Sequence, residues 1–308
     1  MQIRVQLDAK YKERASGPDM FMSRLIRVLE KKHDIKFTSK KPHISLGVIL
    51  LPPKTSAKRI VRVDGCYYNK SYMSNSLNKQ IQKSISKADG VVFQSNFSKQ
   101  LCQKLLKTEP KNCCVIYNGI DQDWIKTVPP FESDVENIFV SIAAWRNSKR
   151  PKSIIKSFIH ANIPNSKLFI IGNFEKQILH ENVVYLGKQP SEKIISILKR
   201  SKGLIHLCKI ESCSNAVVES LSCGIPVLCN NIGGTPELVK NDGIIVNCDP
   251  AFEYRFIDEK NVDNIDTKLV ALEMNKLLQK TWSINRPDLS IDLCANQYYN
   301  YFKLILNV

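Results

Sequence analysis

Residues 203–230 read GLIHLCKIESCSNAVVESLSCGIPVLCN. The first six form a short apolar run that reads as a strand ending at Cys208. Small polar residues follow in a loop over 210–215, where Ser214 stands in the N-cap position of a helix. Gly224 closes that helix as its C′ glycine, and Ile225 and Pro226 lead into a second strand over 225–230. Strand, helix and strand in this order make one βα unit of a mostly parallel sheet. Two carboxylates stand inside the unit. Glu211 lies in the loop, and Glu219 sits on the second helical turn among Val217, Val218 and Leu221. The helix dipole fades beyond the first turn and does not account for Glu219. A buried carboxylate needs a partner, and either a lysine or the hydroxyls of a sugar or ribose would serve.

Outward from this unit the same alternation continues. Strands are predicted at 137–144, 167–173, 182–187 and 243–247, with helices at 151–162, 190–200, 214–223 and 235–240. Towards the N-terminus, strands fall at 2–7, 35–37, 43–51, 59–65, 90–95 and 112–121. Ser16, Gly17, Pro18 and Asp19 start a helix whose Met20, Phe21, Leu25, Val28 and Leu29 recur at helical spacing. Further helices are predicted at 74–88 and 96–107. The stretch QDWIKTVPPFESDV, 122–135, holds two prolines and reads as a linker. After a helix near 266–280, Pro287 resets the chain before a last helix, 289–306, with an aromatic stripe of Tyr298, Tyr299, Tyr301 and Phe302. Core packing is the default for that stripe, which also suits a helix crossing back onto the first domain. The expected fold is α/β: two Rossmann-like doubly wound domains facing across a cleft, 1–130 (with 289–308 packing back on it) and 131–288. Ligands of such sheets bind beyond the carboxyl ends of the strands.

Composition sets the class of partner. The 308 residues are 43% hydrophobic and 24% charged, ordinary for a globular chain with a sizeable core. Lys and Arg number 45 against 29 Asp and Glu, a net charge of +16. Anionic partners follow, whether phosphorylated small molecules, nucleic acid or an acidic membrane surface, although a merely solvated basic surface gives the same count. The ten cysteines include no CxxC pair and read as reduced, mostly buried thiols. The opening MQIRVQLD is a charged strand pattern rather than a secretory leader, and no apolar run is long enough to span a bilayer. The expected location is cytoplasmic, with peripheral membrane contact through the basic surface left open. His33, His43, His160, His180 and His206 show no metal-ligand spacing, and His206, inside GLIHLC, reads as a core residue.

The loop after strand 203–208 has its own chemistry. Ser212, Cys213, Ser214 and Asn215 are small, and their amides fall at a helix N-terminus, where unpaired N–H groups and the dipole favour phosphate. The order of the pieces is more specific. Glu211 and Glu219 at ExxxxxxxE spacing, followed by SLSCGIPVL and NNIGGTPELV, resemble the signature of the retaining family 4 glycosyltransferases of GT-B fold. The resemblance covers most of 137–247, with weaker echoes in the first half. It implies a glycosyltransferase that moves a sugar from a nucleotide-diphosphate sugar to an acceptor hydroxyl of a glycan, glycoprotein or lipid. The domain over 1–130 would then serve the acceptor and 131–288 the donor.

Carried over by position, the resemblance assigns Glu211 to the donor sugar's hydroxyls near the reacting carbon and Glu219 to the ribose. It assigns the amides of 212–215 to the diphosphate. The commonest family loop has glycines where this chain has Ser212 and Ser214. Of the basic residues in SIAAWRNSKRPKSIIKSF, 141–158, Arg146 and Lys149 match the family's diphosphate-gripping pair best, with Arg150 and Lys152 as neighbouring alternatives. A solvated basic loop is the bland reading of the same residues. Gly187, in VVYLGKQPSEKI, would meet the base through its backbone. In the first domain, Gly17 echoes the family's glycine-rich first loop, although a plain helix start explains it equally. Asp64 would orient or deprotonate the acceptor hydroxyl, with an Asp-Gly turn as the alternative. The resemblance implies no cofactor and no catalytic metal, only the nucleotide sugar as co-substrate. A hydrolase using both carboxylates leaves the phosphate loops unexplained. Glycosylation of nucleic acid, or an inactive glycan-binding descendant, are the rival readings. Glycan or glycoconjugate acceptors stand ahead of nucleic acid.

Overall fold

The computed structural model describes residues 2–8, 17–69, 75–257 and 265–308. The chain divides into two compact units. One comprises Met1–Asp121, Glu253–Asp258 and Asp288–Val308; the other comprises Gln122–Phe252 and Glu259–Pro287. No helix among the described residues is long and apolar enough to cross a membrane.

The first unit is built on a parallel sheet of β1 (Ile3–Leu7), β2 (Ile35–Phe37), β3 (Ile44–Val48), β4 (Lys58–Val63), β5 (Gly90–Phe93) and β6 (Cys113–Val115), in the order β2-β1-β3-β4-β5-β6. Its central strands are mostly apolar and buried, β5 throughout and β3 at all but Val48, as strands covered by helices on both sides must be. Helix α1 (Gly17–Lys32) buries Phe21, Met22, Leu25, Val28 and Leu29 along one stripe. Helices α2 (Asn75–Lys87) and α3 (Asn96–Leu106) cover other parts of the sheet, and a reciprocal Ser95–Ser98 capping box starts α3.

The C-terminal helix α10 (Ile291–Leu306) belongs to this unit, and its Tyr298 and Phe302 are fully buried in the core that holds the α1 stripe. Tyr301 reaches the sheet edge, its hydroxyl 3.0 Å from Val91 N and 3.1 Å from Asn112 O. Gly90 leaves room for that hydroxyl, since a Cβ there would stand 2.8 Å from it.

The second unit repeats the plan with β7 (Asn137–Ile142), β8 (Ser166–Ile171), β9 (Val183–Gly187), β10 (Gly203–His206), β11 (Val227–Asn230) and β12 (Gly243–Val246). All pair in parallel, in the order β12-β11-β10-β7-β8-β9. The chain winds outward from β7 through β9, then returns to the other side of β7 with β10. The gap between the ends of β7 and β10 is therefore the topological switch point, where α/β sheets hold their ligands. Helices α5 (Pro151–Ala161), α6 (Ser191–Arg200), α7 (Asn215–Ser222), α8 (Thr235–Val239) and α9 (Thr267–Gln279) connect and cover the strands.

One element departs from the sequence reading. The expected linker over 122–135 carries helix α4 (Gln122–Thr127). Ile125 is buried at 3% exposure, and Thr127 Oγ1 donates to Trp124 O at 2.8 Å. The helix stops just before Pro129 and Pro130, which disfavour its continuation. The prolines mark the helix end, and the apolar Ile125 carries the segment into the second unit.

A candidate donor site at the switch point of the second sheet

The loop after β7 is tightly turned. Trp145 donates its indole N–H to Ile171 O at 3.0 Å, clipping this loop to the end of β8. Asn147–Lys149 form a 3-10 turn, and Arg150 then takes the left-handed conformation, φ 53°, before Pro151 opens α5. Few non-glycine residues adopt that conformation, and this one is fixed by its side chain. The Arg150 guanidinium, fully buried, forms a fork on Asp249 at 2.7 and 2.5 Å. Arg150 is thus committed to bracing the loop. Arg146 is exposed, with Nε 3.0 Å from Ser148 Oγ. Lys149 points its stem inward and is buried.

Glu211 is held from both sides. Lys209 N donates to Ser148 O at 3.0 Å, tying the loop after β10 to the loop after β7. Gly234 N donates to Glu211 O at 2.7 Å from the turn after β11. The neighbouring Gly233 has φ +93°, and a Cβ there would come within 3.1 Å of both Glu211 N and O. The GG of IGGTPE is therefore a close-approach device that seats Glu211.

The Glu211 side chain collects two donors on one oxygen. Lys149 Nζ lies 2.6 Å and His206 Nε2 2.9 Å from Oε2. Burial pushes the carboxyl up, but the Lys149 ammonium and the His206 ring outweigh it and hold it well below the ordinary 4.5. Burial likewise opposes the Lys149 charge, and the Glu211 carboxylate, joined by Cys208 where that thiol ionises at high pH, raises it above 10.5. Burial pushes the adjacent Cys208 thiol up to about 12, so it stays protonated. The arrangement at neutral pH is an anion with a cation at contact distance, at the mouth of the switch point.

The remaining sequence candidates fall around this pair or elsewhere. Ser214 is the N-cap of α7, but its hydroxyl makes no capping bond to the first turn. The helix start thus lacks that side-chain cap, and an anion would be a suitable partner for its amides. Cys213 and Ser214 are buried, while Ser212 and Asn215 are half-buried. Glu219 is 8% exposed on the second turn of α7. Gly187 ends β9 with φ +64°, its carbonyl accepts from Gly172 N at 2.8 Å, and no atom stands within 4 Å of where a Cβ would be.

Gly17 and Asp64 lie in the first unit. Gly17 opens α1, and Ser16 lies outside the described residues. Asp64 Oδ1 accepts from Arg62 Nη1 and Gln94 Nε2, and Arg62 Nη2 donates to Asn118 Oδ1 at 2.9 Å. Asp64 is thus an anchored acceptor that braces the ends of β4 and β5, and more than the residue of an Asp-Gly turn.

Two features escaped the sequence reading. His206 is buried as expected of a core residue, but its ring also reaches Glu211. The available signal was position: as the last residue of β10 it opens onto the ligand edge of the sheet, five residues before Glu211. The spacing judged unfit for metal also converges in space. Ligand atoms of His206, Cys208 and Glu211 lie within 4.8 Å of one another, a set that could hold an ion. The Lys149 ammonium already bonds the same Glu211 oxygen, so the chain supplies its own cation there.

Comparison with known proteins bears on the family and the fold. The sequence model of the family described as "Glycosyl transferases group 1" fits residues 124–285, over half of the chain. N-acetyl-alpha-D-glucosaminyl L-malate synthase of Bacillus anthracis is 24% identical over 184 residues, 54% of this chain and 48% of its own length. The chain spans about half the length of the curated relatives it first matches. Among solved structures, sucrose-phosphate synthase from Thermosynechococcus elongatus superimposes with a TM-score of 0.69 at 10% identity, covering 99% of both chains. Anabaena Alr3699/HepE in complex with UDP gives 0.65 at 13% identity, covering 98% of this chain and 100% of that one. At these identities the structural likeness establishes the two-unit α/β fold.

Proposed function

Because the chain belongs to the glycosyl transferases group 1 family, we propose that it transfers a sugar from a nucleotide-diphosphate sugar to an acceptor hydroxyl of a glycan, glycoprotein or lipid, with the anomeric configuration retained. The observation that carries this reading is the convergence of Lys149 Nζ and His206 Nε2 on Glu211 Oε2 at the switch point of the second sheet. In this reading the diphosphate lies over the start of α7, against the amides of 212–215, and meets Lys149 and the exposed Arg146. Both cations stabilise the charge that develops on the departing nucleoside diphosphate, with no metal called for. Glu211, held ionised, accepts hydrogen bonds from the donor sugar and offsets positive charge at the reacting carbon. Glu219 takes the ribose hydroxyls, and the open backbone at Gly187 meets the base.

On the first unit, Asp64 and Gly17 serve the acceptor and the donor phosphate respectively. That unit holds 25 basic against 13 acidic residues, while the other holds 20 against 16. Twelve of the chain's 16 excess positive charges therefore lie on the acceptor side. This favours an anionic glycoconjugate acceptor, reached at a membrane surface, over a neutral one.

A thermal-shift screen against UDP-, GDP- and other nucleotide sugars tests the reading. A ligand bound only by the folded state raises the melting temperature, by an amount set by its concentration over Kd. At least one donor should raise it; no shift at saturating concentrations of any donor sinks the proposal. Nucleic-acid acceptors would instead show as DNA binding with a steep salt dependence.

A further inference from the structure

Glu211 Oε2 accepts two hydrogen bonds, and the two donors differ in kind. Lys149 ends in an ammonium on a flexible four-carbon stem, and its charge is what a diphosphate would draw away. His206 sits on β10, registered against Cys229 of β11, and its side chain is 4% exposed. Its ring is fixed by the sheet and by burial. An ionised carboxylate only accepts, so His206 Nε2 carries the proton in this contact. Oε1 of Glu211 accepts no hydrogen bond from the described residues, and the side chain is 23% exposed.

We propose that His206 is a positioning residue, which keeps Glu211 Oε2 in place when the donor diphosphate draws the Lys149 ammonium away and so leaves Oε1 aimed at the donor sugar. This rests on the reading of Lys149 as a diphosphate ligand and Glu211 as the sugar-facing carboxylate. Without the His206 contact, the carboxylate would be free to rotate about its side-chain bonds once Lys149 turns to phosphate. The bound ground state would change little, because the diphosphate contacts come from other residues. The transfer step would suffer, because a misplacement of about 1 Å at a reacting centre costs on the order of 100-fold in rate.

Two measurements on the full chain test it. The first needs no donor: in a long-range 1H–15N spectrum of histidine-labelled protein, His206 should report a protonated Nε2. A neutral ring protonated only at Nδ1 overturns the proposal. The second compares His206→Leu, which removes the donor, with His206→Gln, which keeps a side-chain N–H. Calorimetry gives the affinity for UDP and GDP. Turnover is read as nucleotide release from UDP-N-acetylglucosamine or GDP-mannose, according to which nucleotide binds.

His206→Leu should lower kcat by about 100-fold while donor KM stays within about threefold, the pattern of an interaction used in the transition state. His206→Gln should recover most of that loss. Equal loss in both variants, or a change confined to KM, overturns the positioning role. Wild-type protein that binds neither nucleotide removes the donor reading and this proposal together. Wild-type binding and turnover with a silent His206→Leu removes this proposal alone.

Discussion

Lys149 Nζ lies 2.6 Å from Glu211 Oε2, and this contact joins the loop after β7 to the loop after β10 across the switch point. The side chains are 10% and 23% exposed, so the pair is partly shielded from water without being sealed off. Lys149→Met removes the ammonium and nearly preserves the stem. A hydrogen bond between a charged donor and a phosphate contributes about 1.5–3 kcal/mol, or roughly 10- to 150-fold in affinity. Calorimetric titration of the nucleotide that binds should show a loss in that range for Lys149→Met. Glu211→Gln should leave nucleotide affinity nearly intact and lower turnover instead. A Lys149→Met variant that binds nucleotide like the wild type would remove the diphosphate assignment.

The same pair predicts a pH dependence of stability. Glu211 is held below 4.5 in the folded chain, so its contribution is complete above about pH 4.5 and fades as pH falls towards its folded value. Lys149 is raised above 10.5, so its contribution is complete below about pH 10.5 and is lost only at higher pH. The stability advantage of wild type over Glu211→Gln should therefore be flat from about pH 5 to 10 and shrink below about pH 4.5. Urea unfolding between pH 3 and 8 measures it. An advantage that grows on acidification would contradict the charge state assigned to Glu211.

Arg150 and Asp249 form a separate, deeper pair, with side chains 2% and 4% exposed. Removing one member of a buried pair leaves an uncompensated charge and typically costs about 3–5 kcal/mol. Arg150→Met should lower stability by that order in denaturant unfolding. Adding Asp249→Asn should recover part of the loss, because the stranded charge is then gone. Purely additive losses would mean that the fork contributes little beyond the two separate side chains.

Most of the fold was legible because its signals are local. Short apolar runs separated by helical periodicity place all six strands of each sheet near their observed positions, from Ile3–Leu7 through Gly243–Val246. Helix α4 was missed because two prolines dominate 122–135, whereas the residue that decides it, Ile125, gains its burial from tertiary packing. Around the candidate site, Glu211 and Lys149 could be read from motif order. The contacts of His206 and Asp249 could not: the first depends on how the loop after β10 folds back over its own strand end, and the second on crossovers that bring Asp249 to Arg150, 99 residues away. Asp64 shows the same limit: Arg62 lies two residues away on the strand, but Gln94 and Asn118 complete its setting from the segments after β5 and β6.

The C-terminal helix offers a test in the first unit alone. Tyr301 is 6% exposed and places its hydroxyl among Val91 N, Val91 O and Asn112 O. Tyr301→Phe keeps the ring and removes the hydroxyl, while Val91 N and Asn112 O keep their own 3.0 Å hydrogen bond. The expected loss is that of an ordinary hydrogen bond, about 0.5–1.5 kcal/mol in unfolding experiments, with donor affinity unchanged. A change in nucleotide affinity without a change in stability would contradict the place given to α10.

Gly233 and Gly187 separate backbone strain from site geometry. Both have positive φ, +93° and +64°, so an alanine at either is strained and should cost on the order of 1 kcal/mol or more. They differ in what the new Cβ would meet. At Gly187 nothing lies within 4 Å, whereas at Gly233 the Cβ would stand 3.1 Å from both Glu211 N and Glu211 O. Gly233→Ala must therefore displace the Glu211 backbone by a few tenths of an ångström or break the Gly234 N–H contact to its carbonyl. Either shift moves the carboxylate relative to Lys149 and His206. Both variants should melt earlier than wild type, but Gly233→Ala should lose turnover by about tenfold or more beyond what its stability explains. Gly187→Ala, whose methyl would face the base, should weaken donor affinity but keep its turnover at saturating donor once assayed well below its melting temperature. Equal turnover in the two folded variants would show that the close approach of Gly233 does not seat Glu211 for the reaction.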